Sequence, residues 1–272
     1  MTTAQKVIKY FAIALAVVII ANIISAIAIA VCVVGGTLGI VRSNNSEYLE
    51  EITTNLEGRD IATLKIDLKA TNLIIKTGGD VFKAETNNSR INCKQDGNQL
   101  IIKEKNNFFS ASKGNTLTVY IPENMLFEAV KISTGAGVTD IDNLYTKKLS
   151  LDMGAGKVQI KNLNVLDEAK INGGAGKVEI LAGTIKNLDL DAGVGKFTLI
   201  TKLTGKNDID AGVGKLEIYL TDKLEDYTIK VSKGIGSITL EGKEMSDGET
   251  YGEGNIPLKI DGGIGAIEIK KK

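Results

Sequence analysis

Leu188-Asp189-Leu190-Asp191-Ala192-Gly193-Val194-Gly195-Lys196-Phe197-Thr198-Leu199 is the stretch that decides the fold. Apolar and polar residues alternate on both sides of a Gly-x-Gly element, the period of one half-buried strand, a turn and a second strand. The element returns at Gly135-Ala136-Gly137, Gly154-Ala155-Gly156, Gly174-Ala175-Gly176, Gly193-Val194-Gly195, Gly212-Val213-Gly214, Gly234-Ile235-Gly236 and Gly263-Ile264-Gly265. Successive first glycines stand 19, 20, 19, 19, 22 and 29 residues apart. Such a unit cannot bury its apolar side chains alone, but units stacked about 4.8 Å apart line one another's inner faces. The expected fold is all-β: a parallel β-solenoid whose coils are flattened tubes with two strands each. Residues such as Leu149, Leu151, Leu188, Leu190, Phe197, Leu199, Ile267 and Ile269 should point inward. Glycine belongs at each corner because it alone readily takes φ > 0 and packs without a Cβ. No 3.6-residue stripe competes outside the N-terminal apolar run.

Two positions before each first glycine stand Ser133, Asp152, Asn172, Asp191, Asp210, Ser232 and Asp261, residue types that hydrogen-bond the backbone two residues on. A calcium ladder of stacked carboxylates is the competing reading. It is disfavoured because repeats that bind calcium in this way place Asp after the glycines. Lys157, Lys177, Lys196 and Lys215 directly follow the second glycine and are expected to pair across the turn with the Asx residues. A phosphate-cradling reading of Gly-x-Gly requires a following helix, and here a strand follows. Asp152, Asp191 and Asp210, with the paired glycines, are therefore structural turn residues; neither a metal nor a cofactor is expected.

Among 272 residues, 33 basic side chains balance 33 acidic ones, and there is no histidine. That balance, with arginine only at Arg42, Arg59 and Arg90, lacks the basic stripe that nucleic-acid binding requires. Absence of histidine removes the commonest general base and metal ligand. Cys32 and Cys93 are too far apart in sequence for a CxxC site. Outward Asp189 and Asp208 could be paired carboxylates of a polysaccharide-cleaving enzyme, but no positioned partner accompanies them. The expectation is a non-enzyme.

From Tyr10 to Val41 no residue is charged, whereas about 20 helical residues span a bilayer. Lys6 and Lys9 precede the run, so residues 1–9 are expected in the cytoplasm, 10–41 as a transmembrane helix, and the rest outside the cell membrane. A cleaved signal peptide, with small residues at Ala26, Ala28 and Ala30, and a lipobox ending at Cys32 are the competing readings. Residues 42–60 read as a juxtamembrane linker, 61–129 as a divergent N-terminal cap with the first coils, and 130–272 as the repeat solenoid. Within the cap, Phe108-Phe109 is a candidate contact. Glu241 to Pro257 lengthens one repeat and is expected to protrude, with Asp247, Glu249, Tyr251 and Glu253 as a candidate binding site.

The run Leu117-Thr118-Val119-Tyr120-Ile121-Pro122, then Val130-Lys131-Ile132-Ser133-Thr134-Gly135-Ala136-Gly137 and the serial glycine turns, resembles the bacterial putative-adhesin β-solenoid family over roughly residues 61–272. The resemblance implies an exported surface solenoid, with some relatives tied to envelope stress, and brings no catalytic residues. The expected function is a structural, adhesive or binding module at the bacterial envelope. Its partner would be an envelope protein, a polysaccharide or a host or matrix ligand. The alternatives are an envelope-stress component binding an amphiphilic ligand or a partner membrane protein, and a carbohydrate-active enzyme.

Overall fold

Strands Leu188–Asp191 and Val194–Thr204 flank the decisive turn, and both stack in parallel, residue on like residue, with the coils before and after them. Gly195 lies opposite Gly176 on one side and Gly214 on the other, Phe197 opposite Val178 and Leu216, and Leu199 opposite Ile180 and Ile218. The computed structural model describes residues 50–52, 61–80, 82–105 and 114–272. Among them the chain is all-β apart from the 3-10 turn Leu224–Asp226. No helix of the described residues is long and apolar enough to cross a membrane. The expected membrane helix over residues 10–41, Cys32 and the Phe108-Phe109 pair lie outside the described residues.

Every residue named above as inward-facing is buried, so one continuous apolar core runs through the stack. Each such Leu, Ile or Phe withdrawn from water contributes about 1.5–3 kcal/mol. The expected two-strand coil proves to have a third, short side. Gly183–Lys186 pairs in parallel with residues 163–165 on one face and 202–204 on the other. It adds Leu163, Val165, Ile185 and Leu203 to the core. A pass of three or four residues shows too little alternation, among Asn, Lys and Thr, to read as a strand.

Chain order and stacking order differ at both ends. The strand of the Gly212 coil pairs not with that of Gly234 but with that of Gly263, and the Gly263 strand then pairs with the Gly234 strand. The chain thus skips one layer, builds the outermost coil, and returns to fill the gap with its last strands, Ile256–Asp261 and Ile264–Lys271. The other end repeats the device. Thr63–Leu68 and Asn72–Thr77 lie between the later coil formed by Gln99–Glu104 and Thr116–Ile121 and the start of Leu126–Asn172.

Each outermost coil is covered by antiparallel strands. Ile91–Asp96 and Lys83–Thr86 lie on the N-terminal one, and Glu50–Ile52, inside the stretch expected as a linker, adds to Lys83–Thr86. At the C-terminal end Lys243–Glu244 and Thr250–Tyr251 pair with the strands of the Gly234 coil. The Glu241 to Pro257 insertion, expected to protrude, is therefore largely folded back as an end cover, because an open strand edge is a template for aggregation.

The corners explain the glycines. A Cβ on Gly195 would overlap the carbonyl oxygen of Gly176, and one on Gly214 that of Gly195. This overlap runs through the stack in the order 137, 156, 176, 195, 214, 265, 236, the same rearranged order as the strands. The second glycine of each pair also has positive φ, 128° at Gly195. Replacing Gly195 with alanine therefore meets two penalties, collision and strain. Gly242, with φ 77° and nothing within 4 Å of its Cβ position, meets only the second. In chemical denaturation followed by circular dichroism, Gly195→Ala is expected to cost about 3 kcal/mol and Gly242→Ala about 1 kcal/mol; equal losses would refute the collision.

Candidate binding site

The outward rows are set by the same register. Lys157, Lys177, Lys196 and Lys215 open their strands just past the corner, and the residue two positions on shares their face. They pair along and across these strands and not with the Asx residues. Lys177 Nζ lies 2.7 Å from Glu179, Lys196 Nζ 2.8 Å from Glu217, and Lys215 Nζ 2.6 Å from Glu217 and 3.3 Å from Glu268. The Thr198 hydroxyl adds a hydrogen bond to Glu217 at 3.1 Å. The two lysine ammoniums hold the Glu217 carboxyl down at about 2, and the Thr198 bond acts in the same direction against the opposing effect of burial.

The Asx residues differ in what they hold, and one caps its own turn. Asp191 Oδ1 accepts the Gly193 amide at 2.9 Å, and Asn172 Nδ2 donates to Asp152 Oδ1 at 2.6 Å. Asp191, Asp210 and Asp261 are in register. Burial, then repulsion from Asp261 and Asp191, pushes the Asp210 carboxyl up, while a Lys259 hydrogen bond pulls Asp261 down. Among the described residues no group of His, Cys, Asp and Glu is arranged to hold a metal ion. Asp189 and Asp208, which face each other in register, each have a lysine of their own: Lys170 at 3.8 Å and Lys206 at 3.0 Å.

Toward each end of the corner column a carboxylate accepts backbone amides. Glu104 Oε2 accepts the Lys69 and Ala70 amides at 2.8 and 3.0 Å, and its Oε1 takes Arg90 at 2.9 Å and Asn88 at 3.1 Å. Burial alone would raise its pKa. The Ala70 and Lys69 amides, with Thr71 and Asn88, outweigh that and hold it below the ordinary value. At the other end Asp247 Oδ1 accepts the Lys233 amide at 2.8 Å, and Lys233 Nζ reaches Glu244 at 2.6 Å.

Of the four residues singled out in the long insertion, Asp247 is thus engaged by the last corner. Glu249 Oε2 accepts the Ser246 amide at 2.6 Å, and Glu253 is exposed. Glu249 and Tyr251 line a hollow of about 240 Å³ whose floor is the buried Leu224, Leu240 and Met245 and whose rim includes Glu241, Lys243 and Glu244. The sequence carried little sign of the hollow, because its floor comes from three separate segments.

A register of glycine corners with a family model matching residues 53–261 settles the kinship. The chain belongs to the DUF4097 Toastrack family. Solved structures similar to this Toastrack chain include a putative adhesin from Parabacteroides merdae ATCC 43184, 15% identical, covering 84% of this chain and 98% of that one at TM-score 0.42. Others are a putative adhesin from Bacteroides fragilis NCTC 9343, at 14%, 78%, 93% and 0.41, and a putative lipid binding protein from Parabacteroides distasonis ATCC 8503, at 15%, 82%, 96% and 0.35. A comparison with the curated proteins finds no match.

The Glu217 node of this Toastrack wall makes a pH prediction. A carboxyl whose folded pKa sits near 2, against an ordinary 4.5, adds stability that is complete above pH 4.5 and is lost as pH falls toward 2. Glu217→Gln is expected to be about 2 kcal/mol less stable at pH 7, and its urea midpoint should fall less than the parent's between pH 4.5 and pH 2. Parallel pH curves would remove Glu217 from the account.

Proposed function

We propose that the chain is a non-enzymatic, membrane-anchored β-solenoid that acts as a structural, adhesive or binding module at the bacterial cell surface. The observation that carries this reading is the closed stack: an apolar core continuous from end to end, with both outermost coils covered by antiparallel strands. Such a body has fixed length and stiffness and offers its surface, not its interior, to partners. The uncharged run from Tyr10 to Val41, preceded by Lys6 and Lys9, supports an anchor with the solenoid outside. A partner at that surface would be an envelope protein, a polysaccharide or a host or matrix ligand. The test is protease treatment of intact cells producing the full chain with a C-terminal tag, together with cell fractionation. Loss of the tag from intact cells, with an N-terminal fragment kept in the membrane fraction, is the expected result. A tag protected in intact cells and cut only after lysis would overturn the reading.

A second reading, capture of an amphiphile, is favoured by the hollow at the C-terminal cover, where the buried Leu224, Leu240 and Met245 share the lining with Lys243. An acyl chain suits that floor, and Lys243 is the one cation of a lining that also holds Glu241, Glu244 and Glu249, so an anionic head would have to seat on it. Uptake of a fluorescent medium-chain fatty acid by the full-length chain should drop about tenfold in Lys243→Glu and be abolished in Met245→Trp, which fills the space. Equal uptake by all three would exclude the hollow.

A further inference from the structure

A larger recess, about 430 Å³, opens where the chain leaves the N-terminal cover and re-enters the stack. One wall is the turn from Ile121 to Phe127, and the other is the third side of the next two coils, Asn143 to Tyr145 and Asn162 with Asn164. Residues nineteen apart lie one above the other here. The Thr146 hydroxyl donates to the Phe127 carbonyl at 3.2 Å, Lys147 reaches Glu128 at 2.8 Å, and Lys161 reaches Asp142 at 2.6 Å. Asn124, Asn143 and Asn162 therefore form one column, and Leu126, Tyr145 and Asn164 the next.

The chemistry of this lining is specific. Asn164 donates to Asn162 Oδ1 at 3.3 Å and accepts the Thr184 amide at 3.1 Å, so those two are held in place. Among the described residues the side-chain amides of Asn124 and Asn143 have no protein partner, and Asn124 sits at φ 60° on the exposed turn. Tyr145 is 38% exposed, a large aromatic ring turned outward on a strand wall. Met125 and Phe127 complete an apolar floor, and Glu123 is the one charged residue of the lining.

We propose that this recess binds a neutral pyranose oligosaccharide. The C–H face of a sugar ring is apolar and stacks on an aromatic face, while its hydroxyls are donors and acceptors at once, matched by amides that are also both. Lysine and arginine are missing from the lining, so an anionic ligand finds no counter-charge. A lipid chain would leave the asparagine amides unsatisfied. The volume falls within the roughly 300–1,000 Å³ that small-molecule sites span. This inference rests on the reading of the chain as a binding module and names the ligand class of one site on it.

The test is titration of the full-length chain in detergent micelles with uncharged trisaccharides of glucose, mannose and N-acetylglucosamine, read by calorimetry and by tyrosine fluorescence. The protein has seven tyrosines and no tryptophan, so the signal of Tyr145 is not swamped. Saturable binding of at least one trisaccharide is expected, weakened about tenfold by Tyr145→Ala and by Asn143→Ala, and kept within about twofold by Tyr145→Phe, which preserves the ring. If Tyr145→Ala melts early, Asn143→Ala, at an exposed position, decides the question. Binding of none of the three up to about 10 mM, or equal binding by the parent and a stably folded Asn143→Ala, overturns the proposal. So does binding of a uronic-acid trisaccharide alone. Each of those results leaves the surface exposure read by protease untouched, so the two readings fail separately.

Discussion

Backbone resting directly on backbone at the corners is the constraint on which the rest of this structure depends. At Gly154, Gly156, Gly176, Gly195, Gly214 and their counterparts, the space where a Cβ would stand is filled by the carbonyl oxygen of the neighbouring coil's glycine. Contact that close leaves no room for a slip, since moving the Gly193 coil by a single residue would put Ala192, Val194 or Lys196 where only glycine fits. The corner therefore fixes the register, and the register lines up everything else: Phe197 over Val178 and under Leu216 inside, Lys196 over Lys177 and under Lys215 outside. Like charges in one column would repel, and the alternate outward column of Glu179, Glu217 and Glu268 relieves this by taking lysines from its own coil and the next.

Toward each end of the corner column, backbone amides are met by a side-chain carboxylate in place of a neighbouring glycine carbonyl. Glu104 and Asp247 are these acceptors, one buried with Arg90 and Asn88 around it, the other near the surface. The burial matters at the first end because an unpaired carboxylate there would carry the full desolvation penalty, and four donors offset it. The rearranged stacking order adds a second safeguard. The last strand, Ile264–Lys271, and the first strands of the stack in chain order, Thr63–Leu68 with Asn72–Thr77, are each held between two coils. The segments most prone to fray in an ordinary solenoid are thereby paired on both edges.

Period and composition made the core legible: alternation around Gly-x-Gly placed the inner residues of two sides correctly, from Leu149 to Ile269. The third side escaped because Ile185 or Leu203 alone between polar neighbours has no period. The skipped layer escaped for a different reason. Identical repeats are interchangeable partners, so sequence adjacency carries no preference between the Gly234 and Gly263 strands as neighbours of Gly212. The lengthened spacings of 22 and 29 residues were the trace of that detour. The lysine pairing departs from expectation because the glutamates two positions along the strand share the lysines' face, while the Asx oxygens have other partners, Asp191 the Gly193 amide, Asp152 the Asn172 amide and Asp261 Lys259. Asp247 reads as a free acid in a loop because the amide it accepts, Lys233, is fourteen residues earlier.

The regular walls and the two recesses divide the surface in a way that bears on what the molecule can recognise. Along the repeats, acids and lysines satisfy one another, as with Glu217 between Lys196 and Lys215, and a ligand would have to break such pairs to gain a contact. The two roomier recesses described above lie where the period is interrupted. One lies under the C-terminal cover, where Leu224, Leu240 and Met245 meet, and the other lies where Ile121 to Phe127 leads back into the stack. At both places side chains are released from the repetition that determines them elsewhere. Asn143 and Tyr145 on one side and Lys243 on the other can thus vary without disturbing a corner, a core column or a charge pair. If ligands bind at these recesses as proposed, recognition sits at the interruptions and rigidity in the repeats, and the scaffold can change its ligand while the glycine corners stay as they are.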